Sequence, residues 1–447
     1  MVVGDEVPET QFALLGEDRI AYQVFGEGDI DALYVGPTGD AIDLRWDWPP
    51  YADFLRKLAV HARVIMFDRR GSGASDNASG EVLPEWERWA DEARVVLDAV
   101  ASERAALFGL ADGGPAAVLF AASHPARCRG LILASTAAWF SESTAAGIAA
   151  SWSVQQVTEF AVQAWGTRAM VEFANPDAAR DPAFVRWFAR MSRLAYSPRD
   201  ASMMIDSEQR TDVREFLASV RVPTLVVHRE DCQAISADYG RYLAEHIPGA
   251  QLVLIPGRDI YLFTEPFADA ERHIVEFLRG LYGTTESDRA LASILFTDFV
   301  GSTKHLSAVG DHAWRNLLDS HDVIARTLVE QHGGRLVATT GDGILATFDG
   351  PGRAIRCATA LRDALRPLGV EIRAGLHTGE IEIRGTDIAG IAVHLAARVL
   401  AAATAGELWV SAAVPMLVAG AGFEFDDRGN HELKGIDGTW QLFAVRT

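Results

Sequence analysis

Between residues 10 and 280, short apolar runs alternate with amphipathic segments, and this alternation limits the available folds more than any other feature of the chain. Ala32-Leu33-Tyr34-Val35, Val64-Ile65-Met66-Phe67, Ala105-Ala106-Leu107-Phe108, Leu131-Ile132-Leu133 and Thr224-Leu225-Val226-Val227 are short and largely apolar. Such runs suit parallel strands buried on both faces, with helices above and below. From about Trp139 to Val220 the text is rich in Trp, Phe and Ala and reads as helical, interrupting the alternation like a lid. An α/β class is expected.

Beyond Gly280 the pattern changes. Glycine, threonine and acidic residues cluster over Gly280–Asp288, as in a short linker. A chain of 447 residues is long enough for two or three domains. The expected division is 1–280, a linker over 281–290, and 291–447. In the last part, Ile294-Leu295-Phe296-Thr297-Asp298-Phe299 reads as a buried strand. Gly341-Asp342-Gly343 lies between the strand-like runs Leu336–Thr340 and Ile344–Phe348, a hairpin signal. If that hairpin pairs beside the first strand, Asp298 and Asp342 meet at one sheet edge. Two carboxylates together suit a pair of Mg²⁺ or Mn²⁺ ions that take further ligands from water and substrate phosphates. Asp342 alone is equally well read as a turn former.

Composition narrows the partners. Hydrophobic content of 49% and charged content of 23% describe a packed globular protein. A net charge of −20 with no local basic patch argues against a nucleic-acid partner. Cys128, Cys232 and Cys357 are far apart, which suits a reducing compartment and disfavours a zinc site or disulfide frame. The first residues lack the basic flank and apolar core of a signal peptide. No apolar run approaches the roughly 20 residues of a membrane helix. A soluble cytoplasmic protein with no membrane partner is expected.

Five ordered segments then carry a resemblance. They are Leu295–Thr303, Thr340-Gly341-Asp342-Gly343, Arg373–Glu380, Thr386–Gly390 leading into a helix with His394 and Arg398, and Glu432-Leu433-Lys434-Gly435. From about Ala290 onward the chain resembles the catalytic domain of class III nucleotidyl cyclases, the adenylate and guanylate cyclase superfamily. The resemblance implies a ferredoxin-like α+β domain. It implies Asp298, Asp342 and the Phe299 carbonyl as ligands of two Mg²⁺ or Mn²⁺ ions, and Gly301, Ser302 and Thr303 at the triphosphate. Arg398 takes the place of the family's transition-state arginine, and Lys434 that of a lysine on the terminal phosphates. It also implies a homodimer, with metal ligands from one domain and the arginine side from the other. Two positions depart from the pattern. Ala338 stands where adenylate cyclases have a purine-reading lysine, although its aspartate partner is present as Asp387. His394 stands where an asparagine usually orients the ribose. The chain is most similar to bacterial, mycobacterial-type cyclases fused to hydrolase-like domains.

A second resemblance covers the first part. Asp68–Asp76 after a strand, and Phe108-Gly109-Leu110-Ala111-Asp112-Gly113-Gly114 between strand and helix, resemble the α/β-hydrolase superfamily. The second has the glycine frame of the nucleophile elbow, with Ala111 in the serine's place. Asp112 is one residue too late. The acid position falls on Asp231 or Cys232. Gly257-Arg258-Asp259-Ile260 puts isoleucine where the histidine belongs. Without nucleophile and base the triad is absent.

The expected function is a phosphorus–oxygen lyase: a homodimeric nucleotidyl cyclase, with ATP the leading substrate. It would carry a non-catalytic hydrolase-like domain that regulates it in signal transduction and holds a small apolar ligand. One alternative is a pyrimidine cyclase making cyclic CMP or UMP, since Ala338 removes a purine-reading group. Another is an α/β-hydrolase acting without the usual triad.

Overall fold

The computed structural model describes residues 7–76, 85–140, 154–264, 268–281, 289–302, 311–339, 341–384 and 387–446. The chain divides into two compact units, residues 1–81 with 88–287, and 82–87 with 288–447. Most of the expected linker, 282–288, lies outside the described residues, and Arg289 and Ala290 already belong to a strand.

The first unit is built on eight strands: β1 (Gln11–Leu15), β2 (Asp18–Phe25), β3 (Asp31–Val35), β4 (Arg63–Phe67), β5 (Ala105–Leu110), β6 (Cys128–Ala134), β7 (Thr224–Arg229) and β8 (Gln251–Ile255). They lie in the order β1-β2-β4-β3-β5-β6-β7-β8. β2 runs antiparallel to β1 and β4, and every later pairing is parallel. Every residue of β5 and β7 is buried, which is why those segments read as unbroken apolar runs. The helices Val154–Ala164, Arg168–Ala174, Pro182–Ala195 and Pro198–Arg210 follow β6, where the sequence suggested a lid. Residues 141–153 of that stretch lie outside the described residues.

The second unit holds β9 (Arg289–Phe299), β10 (Arg335–Thr339), β11 (Ile344–Phe348), β12 (Ile372–Arg384), β13 (Asp387–Ala389), β14 (Leu408–Ser411), β15 (Phe425–Glu432) and β16 (Thr439–Val445). Their order is β10-β11-β9-β12-β14-β16-β15, with β13 on β12. Alternate residues of β9 serve two cores. Leu295 and Phe299 join Val329, Ile355 and Leu361 of the helices Asp311–Gln331 and Pro351–Leu365. Ile294 and Phe296 face Ala392 and Ala396 of the helix Ile391–Ala402. Side chains alternate faces along a strand, so Asp298 shares the face of Ile294 and Phe296. β9 is an interior strand, so Asp298 and Asp342, expected at a sheet edge, are backbone neighbours at a strand end instead.

Among the described residues no helix is long and apolar enough to cross a membrane. The three cysteines are all buried and unbridged.

Candidate functional site

In the second unit the hairpin β10–β11 pairs antiparallel beside β9, bringing its turn to the end of that strand. Three contacts hold the turn there. The Phe299 N–H donates to the Asp342 carbonyl at 2.9 Å, and the Ile344 N–H to the Thr297 hydroxyl at 3.3 Å. Gly343 passes so close to the Thr297 carbonyl that a Cβ would overlap it, so glycine is required on steric grounds. Gly341, at φ +94°, supplies the reversal. The Phe299 ring packs edge-on against His321 at 4.9 Å and fixes the strand end.

Asp298 and Asp342 are thus neighbours by backbone geometry. Asp298 carries one further partner that the sequence reading passed over. Arg373 of β12, directly opposite in register, donates to the same carboxylate oxygen at 2.7 and 3.1 Å. The guanidinium keeps an electropositive group beside the carboxylates and engages one oxygen of Asp298. Among the described residues no cluster of three His, Cys, Asp or Glu forms that could hold a metal. Two carboxylates and a backbone carbonyl offer hard oxygens only. That donor set fits Mg²⁺ or Mn²⁺, which keep waters and take phosphate oxygens, and does not fit a closed zinc cage.

The remaining predicted residues lie on other elements. The helix Ile391–Ala402 buries Ala392, Leu395, Ala396 and Val399 and leaves His394 and Arg398 exposed on its other face. Arg398 makes no hydrogen bond or ion pair among the described residues. Asp387 is exposed at the start of β13, and among the described residues its carboxylate accepts from the following Ile388 N–H at 2.8 Å. Leu433 anchors the turn after β15 in a core with Trp409, leaving Lys434 exposed. Ala338 is exposed beside a bulge in β10. Gly301 adopts φ +71° and Ser302 begins a helix, whereas Thr303, Thr340 and Thr386 lie outside the described residues.

In the first unit the elbow is present. Ala111 follows β5 at φ +50°, a left-handed conformation that costs a non-glycine residue about 1 kcal/mol. The helix Gly113–Ser123 starts at once, and a Cβ on Gly113 or Gly114 would overlap Val35 or Thr136. Ala111 and Ile260 both line a cavity of about 220 Å³ under the lid. Cys232 is buried, its thiol pushed up to about 11 by desolvation, while Asp231 is exposed. Asp259 is buried as well, but it accepts from the Asp177 and Ala178 N–H groups and so caps a turn of the lid. The buried Arg229 guanidinium binds the carbonyls of Pro256 at 2.8 Å, Tyr261 at 3.3 Å and Leu262 at 3.4 Å, holding the loop that carries Ile260.

One of the two oxyanion donors is also taken. In elbow hydrolases an N–H from the loop after the third strand helps receive the oxyanion. That loop is Gly36-Pro37-Thr38 here, and proline has no N–H. The Thr38 N–H is given to the Asp112 carboxylate at 3.0 and 3.1 Å, and Arg69 donates to the same carboxylate at 2.8 Å. Burial disfavours the Asp112 charge, but Arg69 and these hydrogen bonds outweigh it and hold the carboxyl below its ordinary range.

Comparison with known proteins agrees with both folds. The family model for the adenylate and guanylate cyclase catalytic domain matches residues 286–446, and that for serine aminopeptidase, S33, matches 50–258. The chain joins an α/β-hydrolase domain to a class III cyclase domain. A Rhizobium meliloti protein provisionally named adenylate cyclase 3 is 31% identical over 158 residues, 33% of this chain and 27% of its own length. The chain therefore spans about a quarter of that relative. A protein of Azorhizobium caulinodans provisionally named carbamate hydrolase RutD is 30% identical over 255 residues, 53% of this chain and 86% of its own length. The enol-lactonase of Burkholderia xenovorans superposes with a TM-score of 0.51 at 22% identity, over 60% of this chain and 100% of its own, and shares the fold.

Proposed function

We infer that this cyclase–hydrolase fusion is a homodimeric nucleotidyl cyclase whose first domain binds without hydrolysing. The observation that carries the reading is the convergence of Asp298, Asp342 and Arg373 at the end of β9, on the face shared with the helix of Arg398. Asp298, Asp342 and the Phe299 carbonyl would hold Mg²⁺ or Mn²⁺. Ions held there would supply Lewis-acid chemistry, favouring ionisation of the ribose 3′-hydroxyl and offsetting charge on the leaving pyrophosphate. The chain's own groups do the rest. Arg398 offers its fork of donors to the α-phosphate as negative charge builds there. Lys434 and Arg373 bind terminal phosphates, His394 orients the ribose, and Asp387 accepts from the exocyclic amino group of the base.

Exposure of Asp387, His394, Arg398 and Lys434 in a single chain supports assembly of the site across two copies. The amino-group acceptor favours ATP first and CTP second. Ala338 contributes no donor to the ring, and a pyrimidine cyclase remains the second reading on that ground.

The test is complementation. Purified Asp342→Ala and Arg398→Ala proteins should each be inactive. Mixed, they should recover up to about a quarter of wild-type activity, because half of the dimers carry one intact site of two. No recovery, with exchange of subunits demonstrated, overturns the shared site.

A further inference from the structure

The cavity under the lid keeps a buried hydrogen-bond donor that the chain itself does not use. Asn175 follows the lid helix Arg168–Ala174 and lines the cavity, yet it is only 1% exposed. Its backbone N–H donates to the Val171 carbonyl at 2.7 Å, and its side-chain Oδ1 accepts from the Tyr261 N–H at 3.0 Å. A backbone N–H can only donate, so this bond fixes which end of the amide is oxygen and leaves Nδ2 on the other side. The two N–H groups on Nδ2 have no partner among the described residues. A buried donor left unpaired is costly, and an acceptor relieves the cost.

The rest of the wall offers no spare charge. Asp112 is ion-paired with Arg69 at 2.8 Å, and Glu208 meets the Thr38 hydroxyl. No Lys, Arg or His is among the described lining residues. The Ser192 hydroxyl donates to the Phe188 carbonyl at 3.0 Å, and the Ser236 hydroxyl accepts from the Asp238 N–H at 3.3 Å. Phe160, Trp165 and Phe173 add aromatic surface. An anion would find no cation in this wall, and an ammonium would have to displace Arg69 from Asp112.

Resting on the reading that this domain binds without hydrolysing, the geometry points to a ligand class: a small uncharged ketone, its oxygen on the Asn175 amide and its hydrocarbon among the aromatic rings. The carbonyl is received from the lid, not from the elbow, where the Thr38 N–H is occupied by Asp112. Size sets the reach. A cavity of ~150 Å³ takes benzene, so about 220 Å³ has room for roughly nine non-hydrogen atoms, the size of acetophenone.

The test compares four molecules of one size and shape by titration calorimetry on the full chain at neutral pH: acetophenone, α-methylstyrene, 1-phenylethylamine and benzoate. Acetophenone should bind about tenfold more tightly than any of the others, the worth of one hydrogen bond to a buried donor. The carbonyl stretch of the bound ketone should fall below its value in hydrocarbon. That reading is made on the unmodified chain, so it decides even where a substitution unfolds the lid. Asn175→Leu should weaken acetophenone about tenfold and leave α-methylstyrene unchanged. Ile260→Trp, which fills the cavity, should abolish binding of both. α-Methylstyrene, the amine or benzoate binding as tightly as acetophenone would overturn the ketone assignment while sparing the binding role of the domain. An unshifted carbonyl stretch, or acetophenone affinity unchanged by Asn175→Leu, would take the oxygen away from Asn175 and overturn it too. Acetophenone binding that survives Ile260→Trp would place the site elsewhere. Binding by none of the four would overturn both the ketone assignment and the binding role.

Discussion

Ala111 and Asp298 occupy comparable stations, each where a central strand delivers its chain to the site, and the two regions around them are opposites. Around Ala111 the strained backbone is in place, yet the charged groups nearby are consumed by the chain itself: Asp112 by Thr38 and Arg69, Asp259 by the lid, Arg229 by carbonyls. Around Asp298 the backbone is ordinary, and the groups suited to phosphate chemistry face solvent: Arg398, Lys434, Asp387 and His394. A left-handed residue records a fold. On the proposed function, the second region carries the chemistry and the first carries recognition.

The strongest way to break this contrast is Arg398→Ala. It should lower kcat about 10²- to 10³-fold, since a donor aimed at developing charge is lost. An exposed side chain contributes little to folding, so the melting temperature should hold within about 2 °C. A kinetic loss explained by unfolding would remove the arginine from the chemistry.

Acid should probe both regions next. Burial pushes His377 of β12 down to about 4 and His228 of β7 down to about 4. Below pH 6.5 the unfolded chain takes those protons and the folded chain does not, so their stability is complete above pH 6.5 and is lost toward pH 4. At pH 5 each contributes a loss of about 2 kcal/mol. In the first unit Asp68 acts in the opposite sense, because burial raises its pKa to about 7. Its folded form keeps a proton that the unfolded form releases, so falling pH from 7 toward 4 stabilises the fold and offsets His228. In the second unit Glu87, which accepts from the Gly352 N–H, is likewise raised by burial, to about 8, and offsets His377. Hydrogen exchange resolved by peptide should therefore show residues 289–446 of a His377→Gln variant losing less protection between pH 7 and pH 5 than those of the unmodified chain. Equal losses would refute the assignment of these buried groups.

The base pocket offers a smaller effect. Ala338→Lys should shift nucleotide preference toward ATP by about tenfold. An unchanged ranking of the four nucleotides would mean that this position does not meet the base. Smallest is Ala111→Gly, which relieves the left-handed strain at the expense of unfolded-state entropy and should stabilise the first unit by up to about 1 kcal/mol. Destabilisation there would show the alanine methyl packing to matter more than the backbone.

Much of this was legible in the sequence, for identifiable reasons. β5 and β7 are buried on both faces, so their composition alone marks them as central strands. Gly341-Asp342-Gly343 announces a turn, and the steric need at Gly343 explains its second glycine. The lost triad is visible because Ala111 and Ile260 carry no reactive atom. What stayed hidden depends on long-range register. Arg373 meets Asp298 across 75 residues because β12 pairs antiparallel with β9, and local pattern does not predict that partner. Glu208 meets Thr38 across 170 residues through a lid helix whose docking the sequence does not specify. The position of Asp112, one residue past the nucleophile's place, excludes it as a nucleophile. Its capture of the Thr38 N–H emerges only once the β3 loop is in place.

Residues 286–446 match the cyclase catalytic domain, and their activity is the point on which everything above depends. The direct measurement is pyrophosphate release with Mn²⁺ and each of ATP, GTP, CTP and UTP, with products identified by mass spectrometry, beside Asp342→Ala. A 3′,5′-cyclic monophosphate, most abundant from ATP and absent with Asp342→Ala, is the predicted result. Cyclic product that persists in Asp342→Ala, or none from any nucleotide in the dimeric protein, would contradict it.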